Sequence, residues 1–456
     1  MTKIILPADQ IEVSREVDVL VVGGGPAGIA AALAAARNGA STLLVEQRGY
    51  LGGMGTAALV PAFCPYTDHE KPVVRGIGLE LLESMKRSCR PGFIAEYGDR
   101  LDWVPIDAEV LKRVYEQAVI ESGTEVLYHT FVPQAILGDD SATVDGVVIV
   151  NKTGRSYIKC RYIIDATGDA DIAALAGAEF QKGGEQGELQ PGTMCYLLSD
   201  VNRSRFKAYL RESGDTGQIS ALVQKAQAAG DLPLGRKEVS GFSWVSDTRV
   251  GVNFGHIFGI DGTKAEDLTR GAIEGRKGIQ VQVEFLRNYV PGFENAHLAA
   301  SGEQIGIRET RRIVGDYVLV QEDFLNMASF HDDIARNSYF IDIHLTTSKD
   351  AMEIKHLPNG RSHGVPYRAL LPKGINNLWV AGRAVSSDRI VQGSLRVMPN
   401  CFAMGQAAGT AAYLASSMSG SSRDVPVDRL QELLIGQGAW LGDEAERKEA
   451  VKSLAQ

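Results

Sequence analysis

The sequence predicts an α/β fold in which a parallel sheet is covered by helices and an α+β mixed-sheet segment is inserted before the final core strand. Three observations support this fold class. Apolar β-branched runs alternate with helical runs along residues 17–178. Residues 190–372 instead mix short strand-like runs with a long helical run. An apolar run at 376–383, followed by a small-residue helix, returns to the first pattern.

The first unit, residues 17–47, has the order strand, glycine turn, helix, strand and acid. Gly23, Gly25 and Gly28 follow an apolar run in the spacing G-x-G-x-x-G, and Glu46 lies 18 residues after Gly28. In this context the first glycine permits a tight turn, the second lets backbone approach a pyrophosphate, and the third lets helix pack on strand. The helix N-terminus faces the phosphates, and the acid bonds a ribose hydroxyl. The unit therefore predicts Rossmann-like dinucleotide binding.

Composition excludes several classes of protein. The chain has 456 residues, 44% of them hydrophobic and 23% charged, with a net charge of −9 at pH 7. These values are ordinary for a soluble globular protein, and the negative charge argues against nucleic-acid or anionic-membrane partners. No stretch approaches about 18 uninterrupted apolar residues, and the first residues lack a signal-peptide core. We expect a cytoplasmic protein with no membrane partner.

The cysteine and histidine spacings predict neither disulfides nor a metal site. The five cysteines show no C-x-x-C pair, and the eight histidines show no H-x-H or H-x-x-x-H spacing. This pattern favours a reducing compartment and no metal. The cysteines are Cys64, Cys89, Cys160, Cys195 and Cys401.

The next elements complete the first part of the nucleotide domain. Four glycines within residues 49–55 predict an anion-binding loop directly after Glu46. Apolar spacing predicts helices at 76–90 and 107–122. Strands are predicted at 124–127 and 131–137, and a hairpin joins 142–150 to 156–160. A strand then ends at Asp165-Ala166-Thr167-Gly168, at the carboxyl end of a parallel strand, where α/β sheets bind ligands.

The remaining elements predict the domain boundaries. Helices are expected at 266–289 and 310–326, a half-buried strand at 338–344, and a small-residue helix at 397–416. The predicted domains are 1–189 for the first part of the nucleotide domain, with a β-meander insert near 131–160, then 190–372 for a substrate domain, 373–418 for the final strand and helix, and 419–456 for a helical tail.

Together these segments resemble the FAD-dependent oxidoreductase family of the glutathione-reductase-like flavoprotein fold, in the bacterial subfamily usually given only that name. The resemblance covers nearly the whole chain in order, and its C-terminal and RETRRI blocks are more specific than the glycine motif. It is carried by VVGGGPAG at 21–28, GYLGGMGTAALV at 49–60, YIIDATGDADIAALAGA at 162–178, IGIRETRRIVGDYVL at 305–319, IDIH at 341–344, VPYRALLPKGINNLWVAGR at 365–383 and GSLRVMPNCFAMGQAAGTAA at 393–412.

The resemblance implies FAD rather than NAD in the first site. It places the glycine turn at the diphosphate, Glu46 at the adenosine ribose, Phe131 or Val132 at adenine, and the start of the last helix at the pyrimidine edge of the flavin. A helix N-terminus suits the negative charge of a reduced flavin near N1. The implied cofactor-binding residues are Gly23, Gly25, Pro26, Ala27, Gly28, Glu46, Gln47, Arg48, Gly52, Gly53, Met54, Val132, Ala166, Thr167, Gly168, Gly382, Arg383, Met398, Pro399 and Asn400.

Arginines supply one set of candidate catalytic residues. Arg308, Arg311 and Arg312 lie at i, i+3 and i+4, so a helix would present them on one face toward a substrate anion or the flavin. An internal ion-pair network with Glu309 and Asp316 is the alternative. Two further arginines, Arg389 and Arg396, flank the turn expected to face the flavin. The family often carries Thr-His where this chain has Asp388-Arg389, so its specificity is open.

Asp342 and His344 supply the second set of catalytic candidates. They lie two residues apart in a predicted strand, so both side chains share one face and can form an acid–base pair. A histidine with satisfied structural contacts is the alternative.

The sequence thus predicts an FAD-dependent oxidoreductase that moves a hydride between a small polar or anionic organic substrate and flavin N5. Either a dehydrogenase or oxidase, or an ene-type reductase, is compatible with it. No second glycine fingerprint follows a strand, so the electron acceptor is open, as are the oligomeric state (including a homo-oligomer) and covalent flavin attachment. The alternatives are a flavin-dependent monooxygenase and a non-catalytic FAD-binding subunit of a larger complex.

Overall fold

The fold is built on a central sheet that collects segments from both ends of the chain. The computed structural model describes residues 10–233, 236–344 and 353–443. Its strands are β1 (Val13–Val22), β2 (Thr42–Val45), β3 (Ala62–Phe63), β4 (Val104–Pro105), β5 (Glu125–Leu127), β6 (Phe131–Leu137), β7 (Val144–Asn151), β8 (Gly154–Asp165), β9 (Phe180–Lys182), β10 (Tyr196–Ser199), β11 (Phe242–Trp244), β12 (Val250–Val252), β13 (His297–Ser301), β14 (Arg311–Ile313), β15 (Asp333–Asn337), β16 (Ile341–Ile343), β17 (Glu353–Lys355), β18 (His363–Pro366) and β19 (Leu378–Val380).

Helices cover this sheet and form part of the inserted segment. They are α1 (Pro26–Asn38), α2 (Ile77–Ser88), α3 (Phe93–Tyr97), α4 (Ala108–Glu121), α5 (Asp171–Leu175), α6 (Arg203–Ser213), α7 (Ser220–Ala229), α8 (Ala265–Tyr289), α9 (Gln321–Leu325), α10 (Arg389–Leu395), α11 (Met398–Met418) and α12 (Val427–Gly436). None of the helices in the described ranges is both long and apolar enough to cross a bilayer.

The central sheet places four loops at one edge. Its order is β5-β2-β1-β8-β7-β6, with β19 also pairing with β8. The strands β5, β2, β1, β8 and β19 are parallel neighbours, whereas β6, β7 and the first half of β8 form an antiparallel meander. The register sets Val22 beside Val45 and Asp165, and Val380 beside Asp165. The loops after β1, β2, β8 and β19 therefore emerge side by side, and the predicted α/β fold class is confirmed.

Helix α1 is held against the sheet by helix α11. Its alanine-rich sequence favours a helix, Gly25 and Pro26 start it, and Gly39, at φ 109°, ends it. A Cβ built on Gly405 would lie 2.0 Å from the Ala27 carbonyl oxygen, and one on Gly409 would lie 2.1 Å from that of Ala31. The two helix backbones therefore touch, which only glycine allows.

We expect Gly409→Ala to destabilise the protein by about 1–3 kcal/mol, because the added methyl group forces α11 away from α1. This figure is the net loss, after the gain of about 1 kcal/mol that alanine usually brings to a helix. The measurement is the urea midpoint of the purified holoprotein. Gly436→Ala is the matched control, since a Cβ there meets no atom within 4 Å. An unchanged midpoint for the Gly409 variant would contradict this helix contact.

The inserted segment has its own hydrophobic core. Strands β10 to β13 form an antiparallel sheet in the order β11-β12-β10-β13, and buried side chains of α8 pack into the core formed with it. The rings of Phe206, Phe242, Trp244 and Phe293 stack within it, with centroids 5.0–6.5 Å apart. The domain boundaries given above remain predictions.

The structure corrects two predicted elements. The half-buried strand predicted at 338–344 is the shorter Ile341–Ile343, and all three of its residues are buried. The predicted helix at 310–326 is wrong: Arg311–Ile313 is strand β14, which pairs with β9, and only Gln321–Leu325 is helical. The backbone hydrogen bonds of β14 are made to a strand more than 120 residues earlier. A local spacing pattern gives no information about such a distant partner. The other long predicted helices, at 266–289 and 397–416, are confirmed within two residues at each end.

Candidate functional site

A cavity of about 1600 Å³ opens at the loop edge of the central sheet. Its lining residues come from the loops after β1, β2, β8 and β19 and from the inserted segment. The volume exceeds the ~300–1,000 Å³ of ordinary small-molecule pockets. It is large enough for a dinucleotide together with a second molecule.

The glycine turn after β1 forms a cradle on the cavity wall. Gly25 has extended backbone (φ −78°, ψ −176°), and a Cβ on it would meet only the Cα of Gly53, at 4.0 Å. It lines the cavity beside Pro26 and Ala27 at the start of α1. By contrast, a Cβ on Gly28 would lie 1.8 Å from the Gly23 carbonyl oxygen. Gly25 therefore leaves room for a ligand, whereas Gly28 allows the helix to pack.

The loop after β2 supplies polar groups to the same wall. The buried Glu46 carboxylate accepts hydrogen bonds from the amides of Gly24, at 2.7 Å, and Arg48, at 2.8 Å. Burial raises the pKa of Glu46, although these two hydrogen bonds act in the opposite direction. The Nε atom of Arg48 is buried without a partner among the described residues. Gln47, Phe131 and Val132 line the cavity nearby. A free donor beside a carboxylate fits the polar edge of a nucleoside.

The loops after β8 and β19 are tied together by Arg383. Its guanidinium donates to the Gly168 carbonyl at 2.8 Å, the Ile307 carbonyl at 2.7 Å and the Asp169 carboxylate at 2.8 Å. Burial raises the pKa of Asp165 to about 6, and the Asp165 carboxylate accepts bonds from Thr167 and Ala173. Arg383 therefore positions this wall, on which Ala166, Thr167, Gly168 and Gly382 also lie.

Of the remaining predicted cofactor-binding residues, some line the cavity and others do not. Gly23, Gly53, Met54 and Met398 line the cavity. Gly28, Gly52, Pro399 and Asn400 are not among the lining residues; Gly52 packs on Thr56, and the Asn400 amide bonds to Asn337. Their predicted contacts with a cofactor remain predictions. Arg48 Nε, which has no partner among the described residues, and the open backbone at Gly25 fit the adenosine and the diphosphate of an adenine dinucleotide.

Beyond the cradle, Asp342 and His344 form a cluster with a second histidine. His344 Nε2 lies 3.2 Å from Asp342 Oδ1, and His344 Nδ1 lies 3.0 Å from His256 Nε2. Asp342 Oδ2 also accepts bonds from Arg396, at 2.8 Å, and from the Tyr339 hydroxyl, at 3.2 Å. Both predicted residues line the cavity.

The hydrogen bond between the two rings joins Nδ1 of His344 to Nε2 of His256, and which ring donates depends on the tautomers. Asp342 Oδ1, 3.2 Å from Nε2 of His344, is buried and has no hydrogen-bond partner among the described residues, so this contact is an electrostatic one. A His344 tautomer with its proton on Nε2 would direct that proton to Asp342 and leave Nδ1 as an acceptor.

The surroundings keep both rings neutral. Burial, with the nearby Arg308, lowers the pKa of His344 to about 4, although Asp342 acts in the opposite direction. Burial and Arg308 also lower the pKa of His256. Burial alone would raise the pKa of Asp342, but His344 and Arg396 hold it well below its usual range. At neutral pH the cluster is two neutral imidazoles and one carboxylate.

Arg308 and Arg396 bring positive charge to this end of the cavity. The buried Arg308 donates from Nη1 to the Pro191 carbonyl, at 2.7 Å, and to the Thr193 hydroxyl, at 2.9 Å. The structure gives no protein partner among the described residues for its Nη2 or Nε. Burial lowers the pKa of Arg308 to about 10, so the group stays a cation at neutral pH.

The predicted helical face of arginines is wrong, because the segment is not helical. Arg312 and Arg389 instead surround the buried Glu309, at 2.7 Å and 3.2 Å, and neither is among the cavity-lining residues. The ion-pair alternative therefore describes Arg312, to which Arg389 adds a pair that was not predicted, whereas Arg311 pairs with Asp171. The Asp388 carboxylate accepts a bond from the Val391 amide and caps α10.

Sequence reasoning missed His256, Tyr339 and Arg236. His256 lies 88 residues before His344 and has no spacing motif around it. Tyr339 lies in the SYFIDIH run, three positions before the aspartate that it contacts. Arg236 lines the cavity and has a buried Nη1 without a partner among the described residues.

Comparison with known proteins agrees with this geometry. The family model described as FAD dependent oxidoreductase matches residues 18–434. Thiamine thiazole synthase from Methanococcus aeolicus is 30% identical over 215 residues, which is 43% of this chain and 71% of that protein. The same enzyme from Archaeoglobus fulgidus is 29% identical over 35% of this chain and 60% of its own length.

Among solved structures, p-nitrophenol 4-monooxygenase from Pseudomonas putida is similar to this chain. The alignment covers 96% of this chain and 92% of that one, with a TM-score of 0.50 and 12% identity. At this identity the likeness concerns the fold alone.

Proposed function

The chain belongs to the FAD dependent oxidoreductase family, and from that premise we propose that it moves a hydride between a small polar or anionic organic substrate and flavin N5. The cofactor is FAD, and the cradle at Gly25 and the polar loop at Glu46 would hold its diphosphate and adenosine. When bound, the flavin supplies the electron chemistry at N5. The protein's own residues bind the substrate, orient it and handle its proton.

The observation that carries this proposal is a pair of neutral histidines near the Arg308 guanidinium, whose Nη2 and Nε have no partner among the residues that the structure describes. Arg308 is a cation, and guanidinium forks bind carboxylates well. His344 has a carboxylate behind it that stabilises a transferred proton. A substrate O–H or N–H would replace His256 at Nδ1 of His344 and give its proton to that atom. Asp342 keeps the ring oriented throughout.

Substrate binding would also tune His344. The cationic field of Arg308 lowers the pKa of this ring. A carboxylate on Arg308 offsets part of that field, so the pKa of His344 rises toward the value of an effective base. The same acid group that fixes the substrate therefore prepares the proton acceptor.

We expect kcat/KM to stay constant from pH 8 down to about pH 5.5, because it reports the free enzyme. The pKa of His344 in the folded enzyme, about 4, lies below the ordinary value, so the neutral base persists over this range and is lost only as the pH falls toward about 4. The measurement is a pH profile of the initial rate at low substrate concentration. An acid limb near pH 6.5 that moves in a His344 variant would contradict the assignment.

The proposal is tested by anaerobic mixing of the holoenzyme with a panel of small hydroxy, amino and unsaturated acids. We expect one class to bleach the flavin band at about 450 nm or, with the reduced enzyme, to restore it. Arg308→Met should abolish this response at equal acid concentration, whereas the exposed Arg429→Met should keep it.

Two other results would point to the alternatives. Consumption of NADPH with oxygen uptake and a hydroxylated product would identify a monooxygenase. A flavin that no donor or acceptor changes would favour a non-catalytic subunit.

A further inference from the structure

The cavity continues from the His344 cluster along a set of aromatic side chains, here called the aromatic wall: Trp103, Phe242, Tyr339 and Phe340. All four line the same cavity as His344 and Arg308. The rings of Tyr339 and Phe340 lie 4.3 Å apart, centroid to centroid. The aromatic wall therefore belongs to the space in which a substrate would lie.

Trp103 lies at the end of a short strand pair, near the Asp342 cluster. Strands β3 and β4 pair Phe63 with Val104, and Cys64 and Trp103 directly follow and precede these two residues, outside the ladder. Burial raises the pKa of the Cys64 thiol, and the nearby carboxylates of Asp102 and Asp342 raise it further. Cys64 therefore lies near both Asp342 and Asp102, the residue that precedes Trp103.

Trp103 is also the member of the aromatic wall that the protein itself leaves least covered. Trp103 is 46% exposed, whereas Phe242 and Phe340 are half-buried and Tyr339 is buried. Its backbone has φ 48°, in the left-handed region that bulky residues rarely adopt. Such outliers concentrate at ligand sites, where the surrounding structure holds them. A large ring is therefore held in a strained conformation with its apolar face open to the cavity.

We propose that the substrate carries a planar aromatic group beside its acidic group, with the ring on Trp103 and Phe340 and the acid on Arg308. This proposal rests on the anion site of the proposed function and names the substrate class for it. Aromatic rings stack on one another with an attraction beyond that of buried area alone. A saturated ring of the same size lacks that attraction.

Calorimetric titration of the holoenzyme tests this proposal with three named acids: propionate, 3-phenylpropionate and 3-cyclohexylpropionate. We expect the phenyl acid to bind at least ~10-fold more tightly than propionate, and more tightly than the cyclohexyl acid. Trp103→Ala should remove the preference for the phenyl acid and leave propionate binding unchanged within about twofold. Trp103→Phe should keep most of the preference. Trp440→Ala, which alters a tryptophan stacked on Arg75, should keep all of it.

The outcomes separate this inference from the function it rests on. Binding of all three acids with equal affinity, lost in Arg308→Met, would overturn the aromatic proposal and leave the anion site intact. A phenyl preference that survives in Trp103→Ala would overturn it as well. If none of the acids binds, the anion site and the aromatic proposal fall together.

Discussion

Replacing Gly25 with valine should yield a folded, colourless protein that takes up no FAD. The Gly25 backbone has φ and ψ values that any residue adopts, and a side chain there would project into the cavity rather than into packed atoms. The valine methyl groups would occupy the place of the pyrophosphate, which approaches backbone closely in such turns. The measurement is the FAD released on denaturation per mole of protein, with circular dichroism as the check on folding.

Two further variants make the Gly25 result specific. Gly217→Val adds the same side chain at a position with no neighbour within 4 Å and should retain full FAD content. Gly28→Val should fail to fold, because its Cβ would collide with the Gly23 carbonyl. Normal flavin content in folded Gly25→Val protein would show that the cradle does not hold the diphosphate.

Replacing His344 with glutamine should slow flavin reduction by about 10²–10⁴-fold, the usual contribution of a general acid or base. The amide keeps a polar contact with Asp342 but accepts no proton. Because Arg308 is untouched, the dissociation constant of the acid should change little. Stopped-flow reduction with the acid identified for the wild-type enzyme gives the rate, and calorimetry gives the affinity.

His297→Gln is the control for this variant, since that histidine is exposed on β13. Its reduction rate should equal that of the wild-type enzyme. A His344→Gln rate within threefold of the wild-type rate would mean that the substrate proton leaves by another route.

The nucleotide half of the fold could be predicted because its signals are local. The glycine turn, the alanine-rich helix and the acid at Glu46 lie within one stretch, and each residue type has one mechanical role there. The same holds for α11, whose Gly405 and Gly409 are explained by contact with α1. The strand at Asp342 is predicted only in part, because Ile341–Ile343 is buried throughout and His344 lies just after it.

The end of the cavity around Arg308 and His344 was less predictable because it depends on distant pairings. Arg308 and Arg312 are four residues apart, yet one faces the cavity and the other is buried against Glu309. Arg312 belongs to β14, which pairs with β9, whereas Arg308 precedes that strand, and spacing along the chain does not encode this pairing. His256 reaches the site from the inserted segment, and Trp103 from the end of the short β3–β4 pair.

The central claim is that this flavoprotein exchanges electrons with a small acid held at Arg308. The most direct measurement is the anaerobic absorbance at about 450 nm as the acid panel is added to wild-type and Arg308→Met holoenzymes of equal FAD content. Bleaching or recovery of the band by one class of acid in the wild type, absent in the variant, is the predicted result. Equal responses of the two enzymes, or none from any acid in either redox state, would contradict the claim.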